Sequence, residues 1–177
     1  MTAYFPPLCI DGSTYNFSHL EPFTFTIQSQ LAKRDLRVHV TFSNHCFSKG
    51  YDQDLHPAGE PILFDHAQRQ RSFCMTRYRL SLSLTPVIKG LNHPQAKVSE
   101  TAAMRNWAYS IMIEDPSGPY HVFFELRRAA EEKQQDLNLV VESAYHQTEK
   151  PPRLFGKMGF MLLCGKVYLR QPTSTKR

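Results

Sequence analysis

The sequence is poor in cysteine and contains no closely spaced pair of cysteines. Its four cysteines are scattered along 177 residues, at Cys9, Cys46, Cys74 and Cys164. Structural zinc sites and disulfide-rich domains need a denser and more regular spacing. We therefore predict a fold that needs neither disulfide bonds nor a structural metal.

Hydrophobic runs of membrane length are also absent. The first fifteen residues, MTAYFPPLCIDGSTY, do not combine a basic start with an apolar run. No later segment contains the roughly 18 consecutive apolar residues of a membrane-spanning helix. These absences predict a cytoplasmic protein with no membrane partner.

The chain lacks several signatures of known chemistry. It contains no P-loop, no dinucleotide-binding fingerprint and no GxSxG motif. The carboxylates Glu114, Asp115, Glu125 and Glu142 do not have the paired spacing of a two-metal nuclease or a glycosidase. We predict that the protein uses no cofactor and no metal.

What the sequence does contain is an ordinary globular composition. With 41% hydrophobic and 21% charged residues, the chain can bury a core, and its 177 residues suffice for one domain. Within that domain we distinguish three parts. They are an N-terminal arm, hairpin and loop (1–66), a helix plus antiparallel meander (67–170) and a flexible tail (171–177).

Two segments near the N-terminus predict a β-hairpin. Apolar and polar residues alternate in FTFTIQSQ, which begins at Phe23, and in LRVHVTFS, which begins at Leu36. Such alternation is typical of strands with one buried face. The preceding residues 1–22 are predicted to form an irregular arm, and residues 44–66 a long surface loop.

The region from residue 69 to residue 91 fits two interpretations. Leu80, Leu82 and Leu84 alternate as in a strand, whereas Leu80, Leu84 and Ile88 also follow helical spacing. We favour two short helices, at residues 68–84 and 86–91, with a break at Pro86.

The C-terminal half shows the clearest pattern, three consecutive strands bounded by turn sequences. They are NWAYSIMI, YHVFFELRR and LNLVVESAYH. The run FMLLCGKVYL predicts a fourth strand, although it also suits a helix, while residues 92–105 and 147–159 indicate a polar connection and a basic loop. The predicted fold class is α+β, a mostly antiparallel sheet with an N-terminal hairpin, one or two central helices and a C-terminal four-stranded meander.

Functional side chains cluster at the end of the third meander strand, at Ser143, Tyr145 and His146. With Arg77 and Arg79 of the predicted helix, they supply the base, acid and cations that RNA cleavage through the 2'-hydroxyl needs. Strand alternation places His146 on the opposite face from Ser143 and Tyr145, so a shared site requires a bulge or bend. In the alternative interpretation, Tyr145 only packs at the sheet edge and His146 is a solvated turn residue.

A second group of candidates follows the hairpin. It comprises Asn44, His45, Cys46, Asp52, Asp54 and His56. Cysteine and histidine can form a nucleophile and base pair, or bind zinc together with a carboxylate. The structural alternative is a buried Cys46 and a His45 that orders the loop.

Basic residues outnumber acidic ones by 21 to 16, which gives a formal net charge of +5. The densest cluster is Arg69, Arg71, Arg77 and Arg79, with aromatic residues interleaved. This combination is typical of proteins that stack unpaired bases and hold phosphates. The predicted partner is RNA or another phosphate-bearing polymer, whereas the mixed-charge run 127–133 indicates an ordinary solvated face.

From Arg69 onward, an arginine-bearing helix followed by an antiparallel meander resembles the barnase, EndoU, colicin and RelE-like superfamily of small ribonucleases and toxins. LNLVVESAYH looks like the strand of that group that ends in a polar catalytic residue followed by an aromatic. The resemblance implies that Ser143 and Tyr145 lie at the strand end and that Arg77 and Arg79 contact phosphate. The N-terminal hairpin and the His45 loop have no counterpart in it.

The leading hypothesis is a metal-independent endoribonuclease of bacterial toxin type that cleaves RNA through the 2'-hydroxyl. Tyr145, His146 or His45 would supply the acid and base, and Arg77 and Arg79 the phosphate contacts. The alternative is a non-catalytic module that binds nucleic acid or a partner protein, such as an antitoxin. A small-molecule sensor or enzyme that uses His45 and Cys46 is a third hypothesis.

Overall fold

The structure is a computed structural model that describes residues 3–103, 106–148 and 150–175. Within these ranges the chain forms twelve strands and three α-helices. The strands are β1 (Leu8–Ile10), β2 (Ser13–Tyr15), β3 (Phe23–Ser29), β4 (Arg34–Phe42), β5 (Ser48–Gly50), β6 (Leu63–Phe64), β7 (Gln70–Phe73), β8 (Lys97–Thr101), β9 (Asn106–Glu114), β10 (Ser117–Arg128), β11 (Leu137–His146) and β12 (Leu154–Gly159). The helices are α1 (Met75–Ser81), α2 (Leu84–Lys89) and α3 (Phe160–Tyr168).

Seven strands form one sheet, in the order β12-β8-β9-β10-β11-β4-β3. Its neighbouring strands are antiparallel except β11 and β4, which run parallel. The sheet curls into a half-barrel. The strands of two small sheets, β1-β2 and β5-β7-β6, do not pair with the strands of this sheet. The prediction of an α+β fold with a mostly antiparallel sheet is confirmed.

The N-terminal hairpin is confirmed as β3 and β4, in which Phe23 pairs with Val40 and Ser29 with Arg34. The arm before it is irregular apart from β1 and β2 and a short 3-10 turn. Its Phe17 ring lies 4.1 Å from that of Phe47, which anchors the arm to the following loop. Residues 1–2 of the predicted arm lie outside the described residues.

The four-stranded meander exists, but its fourth strand precedes the other three. β8 lies within the segment predicted as a polar connection, whose residues 104–105 are outside the described part of the chain. The run FMLLCGKVYL forms α3, so the preferred strand prediction was wrong there. Phe160, Leu163 and Cys164 are completely buried and have helical spacing. β12, which pairs with β8, lies in the predicted basic loop.

The first central helix is shorter than predicted, and the second has the predicted length of six residues but begins two residues earlier. Residues 70–73 form β7, and α1 begins only at Met75. The break falls between Ser81 and Leu84, and Pro86 lies inside α2. Proline is tolerated there because the first turn of a helix leaves its N–H groups without helical partners.

The core lies between the concave face of the sheet and α3. Val38, Val40, Val122 and Leu139 of the central strands are fully buried. The ring of Phe160 at the start of α3 packs edge-on against a sheet phenylalanine, with centroids 6.0 Å apart. None of the helices in the described ranges has the length and apolar character needed to cross a bilayer.

The C-terminal tail was predicted to be flexible, but the structure shows it hydrogen-bonded to the sheet. Thr175 donates hydrogen bonds from its backbone nitrogen and its hydroxyl to Oε2 of Glu100, at 2.6 and 2.5 Å. Residues 176–177 of the predicted tail lie outside the described residues. The tail is therefore tied to β8 up to Thr175.

Candidate anion-binding cleft

A β-bulge in β11 sets which side chains reach the end of the sheet. The register between β10 and β11 shifts where Phe124 pairs with Val141 and Phe123 pairs with Ser143, so Glu142 is an extra residue. A bulge of one residue reverses the alternation of faces beyond it. Tyr145 consequently pairs with His121 on the outer face.

His146, one residue further, pairs with the buried Tyr120 and lies on the core side of the sheet. The pairing of β4 with β11 stops at Val141, so the last residues of β11 lie at an open edge. Helix α1 contacts β11 there. Side chains from both faces of the strand can therefore reach one cleft beside α1, as a shared site required.

The cleft has a volume of about 510 Å³. It is lined by Lys49, Cys74, Thr76, Arg77, Leu80, Tyr145, His146, Gln147, Thr148 and Lys150. The structure thus brings together three of the predicted site residues, Arg77, Tyr145 and His146.

Arg77 is held in a fixed orientation. Its Nη1 donates to the backbone carbonyls of His45 and Ser48, at 3.2 and 2.8 Å. Its guanidinium also lies over the Tyr145 ring, 5.3 Å from the centroid. Both Nη1 hydrogens are therefore used, and no partner for Nε or Nη2 occurs among the described residues. The Nε and Nη2 edge is the fork that binds the two oxygens of a phosphate or carboxylate.

Tyr145 contacts both Arg77 and Phe123 through its ring. Its ring is nearly parallel to that of Phe123, at 18° and a centroid distance of 5.3 Å. Burial raises the pKa of the Tyr145 phenol, and the Arg77 charge offsets only part of that rise. The hydroxyl is therefore protonated at neutral pH and can act as a proton donor.

His146 has a defined tautomer when it is neutral. Its Nε2 lies 3.0 Å from the carbonyl oxygen of Ser117 in β10. A carbonyl can only accept, so Nε2 carries the proton and Nδ1 carries the lone pair. Nδ1 is therefore the nitrogen that can take up a proton.

The electrostatics of the cleft are one-sided. Lys49, Arg77 and Lys150 line it, and none of its described lining residues is acidic. Arg71 adds a further charge nearby, because its Nη2 donates to the same Ser48 carbonyl as Arg77, at 3.0 Å. Burial and then the charge of Arg77 lower the pKa of Arg71. The Asp65 carboxylate opposes this shift in Arg71, so the positive charge that favours an anion comes mainly from Lys49, Arg77 and Lys150 of the cleft lining.

Arg79, Ser143 and His45, also predicted as site residues, are not among the lining residues of the cleft. Arg79 is exposed, and its Nη2 is 3.7 Å from a carboxylate oxygen of Asp115 in the β9–β10 turn. Ser143 pairs with Phe123 on the outer face and is not among the lining residues. Helical and strand periodicity alone could not show that Arg77 and Tyr145 line the cleft whereas Arg79 and Ser143 do not.

His45 contributes its backbone rather than its ring. Its carbonyl accepts from Arg77, while its Nε2 lies 2.9 Å from Oδ2 of the buried Asp65. Burial lowers the pKa of His45. The positive charges of Arg71 and Arg69 lower it further, whereas the Asp65 carboxylate raises it. The imidazole is therefore a structural partner of Asp65, as in the loop-ordering interpretation.

The proposed cysteine or zinc chemistry has no support in the geometry. Cys46 is completely buried, and burial raises the pKa of its thiol to about 12. His56 is bonded to the Ser72 hydroxyl and the Glu60 carbonyl, at 2.9 and 3.0 Å. Asp52 accepts from the backbone of Asp54. The described part of the chain contains no group of three His, Cys, Asp or Glu residues that could hold a metal ion.

Sequence reasoning missed Lys49 as a cleft residue. Lys49 lies in β5, a strand of three residues within the predicted surface loop, and it reaches the cleft because β5 pairs with β7 directly before α1. Lys150 lies in the predicted basic loop at residues 147–159 and was not predicted as a site residue either. No local sequence signal distinguishes either lysine.

Comparison with known proteins identifies one family. The model of the YjaZ family matches residues 7–168. Protein YjaZ of Escherichia coli (strain K12) is 28% identical over 144 residues, which cover 79% of this chain and 78% of that protein. No solved structure matches the chain. These matches give no link to the small ribonucleases, so that resemblance stays a prediction.

Proposed function

The chain belongs to the YjaZ family, and from the geometry of its cleft we propose that it binds a phosphate-bearing ligand, with single-stranded RNA as the first candidate. The observation that carries the proposal is the orientation of Arg77. Two carbonyls and one aromatic ring hold its guanidinium, and its Nε and Nη2 edge is left for the ligand.

Phosphate is the favoured anion because its oxygens match an arginine fork and because further cations surround it. Lys49 and Lys150 line the same cleft, and Arg71 donates to the same Ser48 carbonyl as Arg77. The volume of about 510 Å³ falls in the range of small-ligand sites, so one nucleotide unit fits.

An unpaired strand is favoured over a duplex because the cleft mixes cations with aromatic and apolar side chains. Tyr145, His146 and Leu80 line it beside the basic residues. Proteins bind single strands by combining stacking or apolar contacts to bases with cations along the backbone. A duplex hides its base faces and would contact only the cations.

Fluorescence anisotropy with a labelled RNA oligonucleotide tests the proposal. Arg77→Ala should weaken binding about tenfold. It should also reduce the slope of log affinity against log salt concentration by about one, the value expected for one lost phosphate contact. Arg79→Ala is the matched control, because it removes the same charge from the same helix outside the cleft. That control should change the affinity by less than about twofold.

Equal effects of the two substitutions would reject the cleft as the binding site. Absence of RNA binding at low salt by the folded wild-type protein would reject the ligand. Salt-insensitive association with a protein partner instead of RNA would support a regulatory module, the alternative raised by the sequence.

Cleavage of the bound RNA is a second candidate function, favoured by the hydrogen bond that sets the tautomer of His146 and by the protonated phenol of Tyr145. Nδ1 of His146 would accept the 2'-hydroxyl proton as that oxygen attacks phosphorus. The phosphorus–5'-oxygen bond breaks, and Tyr145 would give its proton to the leaving oxygen. Arg77 would stabilise the charged phosphorane, and the product would be a cyclic phosphate.

A time course of total RNA with purified protein in EDTA separates cleavage from binding. The wild-type protein should produce fragments, and an Arg77→Ala, Tyr145→Phe double variant should cut at least about tenfold more slowly. His146→Gln should slow cleavage while leaving RNA binding within about twofold. Intact RNA in the presence of a binding-competent wild-type protein would reject the catalytic candidate and retain the binding function.

A further inference from the structure

A second cleft with several arginines lies at the opposite end of β10. Its volume is about 420 Å³. It is lined by Trp107, Leu126, Arg127, Arg128, Val167, Arg170, Gln171 and Thr173. None of these described residues carries a negative charge. The lining therefore resembles the first cleft in being cationic and free of carboxylates.

Arg170 reaches this cleft from an unfavourable backbone conformation. It follows the end of α3 with a φ of +57°, in the left-handed region where glycine is normally favoured. The chain reverses there, with hydrogen bonds from the nitrogen of Arg170 to Val167 and from that of Gln171 to Lys166, at 3.2 and 2.8 Å. A glycine would make this reversal more easily, but it would bring no cation into the cleft.

The other two arginines are fixed by neighbours outside the lining. Nε of Arg127 donates to Glu125 at 2.6 Å. Arg128 lies over the Tyr168 ring at 5.1 Å and is 3.9 Å from the exposed Glu131. Arg170 has no carboxylate partner among the described residues. Arg170 is therefore the arginine of this cleft whose charge is not neutralised by a carboxylate in the described part of the chain.

The tail completes one wall of the second cleft. Gln171 and Thr173 belong to that wall, and the bonds from Thr175 to Glu100 hold the segment against β8. Because the tail is anchored beyond the cleft, Arg170 lies between two fixed points, the end of α3 and Thr175. The backbone position of Arg170 is thus restricted on both sides.

The two clefts are connected by β10. Tyr120 of β10 pairs with His146 at the first cleft, and Arg127 lines the second. Seven residues of strand at about 3.4 Å each separate these positions by about 24 Å. We infer that both clefts bind phosphates of one extended strand, so that the ligand is a polymer rather than a mononucleotide. The inference rests on the proposed function of the first cleft.

A series of oligouridylates, from a dinucleotide to a dodecamer, tests the inference by length. For the wild-type protein, affinity should rise by about tenfold or more at the oligomer length that first spans both clefts. An oligomer already held in the first cleft then binds the second cleft as an intramolecular step. Arg170→Gly should abolish this rise and leave the affinity for the shortest oligomers unchanged. Glycine suits the left-handed backbone, so this variant should keep its fold.

Lys33→Gly is the matched control. Lys33 also has a left-handed backbone, with a φ of +53°, and is an exposed cation outside both linings. This substitution should preserve the length-dependent rise. A smooth increase with length that Arg170→Gly does not alter would overturn the second site. If short oligomers still depend on Arg77 in that case, the first cleft stands. Oligomers of every length that bind independently of Arg77 would overturn both.

Discussion

Nε2 of His45 lies 2.9 Å from Oδ2 of Asp65, a carboxylate that is only 4% exposed. Asp65 also accepts from the backbone nitrogens of Ala67 and Arg69 and from the Arg69 guanidinium, at 2.9, 3.0 and 2.8 Å. The same His45 residue offers its carbonyl to Arg77. The buried carboxylate therefore orders the loop on which the cleft arginine depends.

Asp65→Asn should lower the free energy of unfolding by about 2 kcal/mol at pH 7, because the amide cannot replace the charged hydrogen bonds. Chemical denaturation measures this change. The exposed Asp54→Asn is the control and should have little effect. A stability loss no larger than that of the control would contradict the structural importance of the Asp65 network.

The same variant makes a prediction about pH. Burial alone would raise the pKa of Asp65, but its hydrogen bonds with Arg69, His45 and Ala67 outweigh burial and hold the pKa well below its usual range. A carboxylate with a depressed folded-state pKa stabilises the fold above its unfolded pKa of about 4. The stability difference between wild type and Asp65→Asn should therefore shrink as the pH falls below about 4. A pH-independent difference would be inconsistent with this charge.

Phe123→Ala should weaken RNA binding although Phe123 does not line the cleft. The substitution removes the ring that stacks on Tyr145, the residue over which the Arg77 guanidinium lies, and such aromatic pairs contribute about 0.5–1.5 kcal/mol. We expect a loss of affinity of about threefold to tenfold, and recovery in Phe123→Tyr. Met112→Ala, on the same sheet face and 74% exposed, is the control. Unchanged affinity in Phe123→Ala would mean that Arg77 is held without the stack.

Gly118→Ala should destabilise the protein and disturb His146. Gly118 has a φ of +136°, and an added Cβ would lie 2.9 Å from Nε2 of His146. Gly59→Ala introduces the same methyl group at a φ of +84° in open space, so it carries backbone strain alone. Thermal denaturation should show a larger loss for Gly118→Ala than for Gly59→Ala, whose cost is about 1–2 kcal/mol. The reverse order would indicate that His146 moves freely.

Alanine substitutions at two helical glycines should change stability in opposite directions. At Gly165 in α3, an added Cβ would lie 2.7 Å from the Ser29 hydroxyl, so the variant should lose about 1–3 kcal/mol despite its better helix propensity. Gly90, at the end of α2, has helical dihedrals and open space around it. Gly90→Ala should therefore gain about 0.4–1 kcal/mol. Two losses of similar size would argue against close contact between α3 and the β3–β4 turn.

Local patterns predicted the parts of the fold in which one face of an element is buried. The alternation in β3, β4, β9, β10 and β11 indicated strands because each of them presents apolar residues to the core. The last element carried a helical signal too, since Phe160, Leu163 and Cys164 are three and four residues apart. Three adjacent apolar residues, Met161 to Leu163, obscured it.

The cleft was predictable only in part. The sequence suggested Arg77, Tyr145 and His146 as site residues, and the structure places all three in the lining of one cleft. It could not show that Arg79 points away, because that depends on where α1 docks against the sheet. β8 and β12 were missed since each is short and depends on the other for its pairing.

The extra residue in β11 makes the chemistry of the cleft depend on strand register as well as on residue identity. If the end of β11 slipped by one residue, so that Glu142 paired with Phe123, every side chain that lines the cleft would be retained, yet Tyr145 and His146 would exchange faces. Arg77 would lose its ring partner, and the imidazole would turn away from the core side. The site could therefore be lost through strand pairing alone, without substitution of any residue in it.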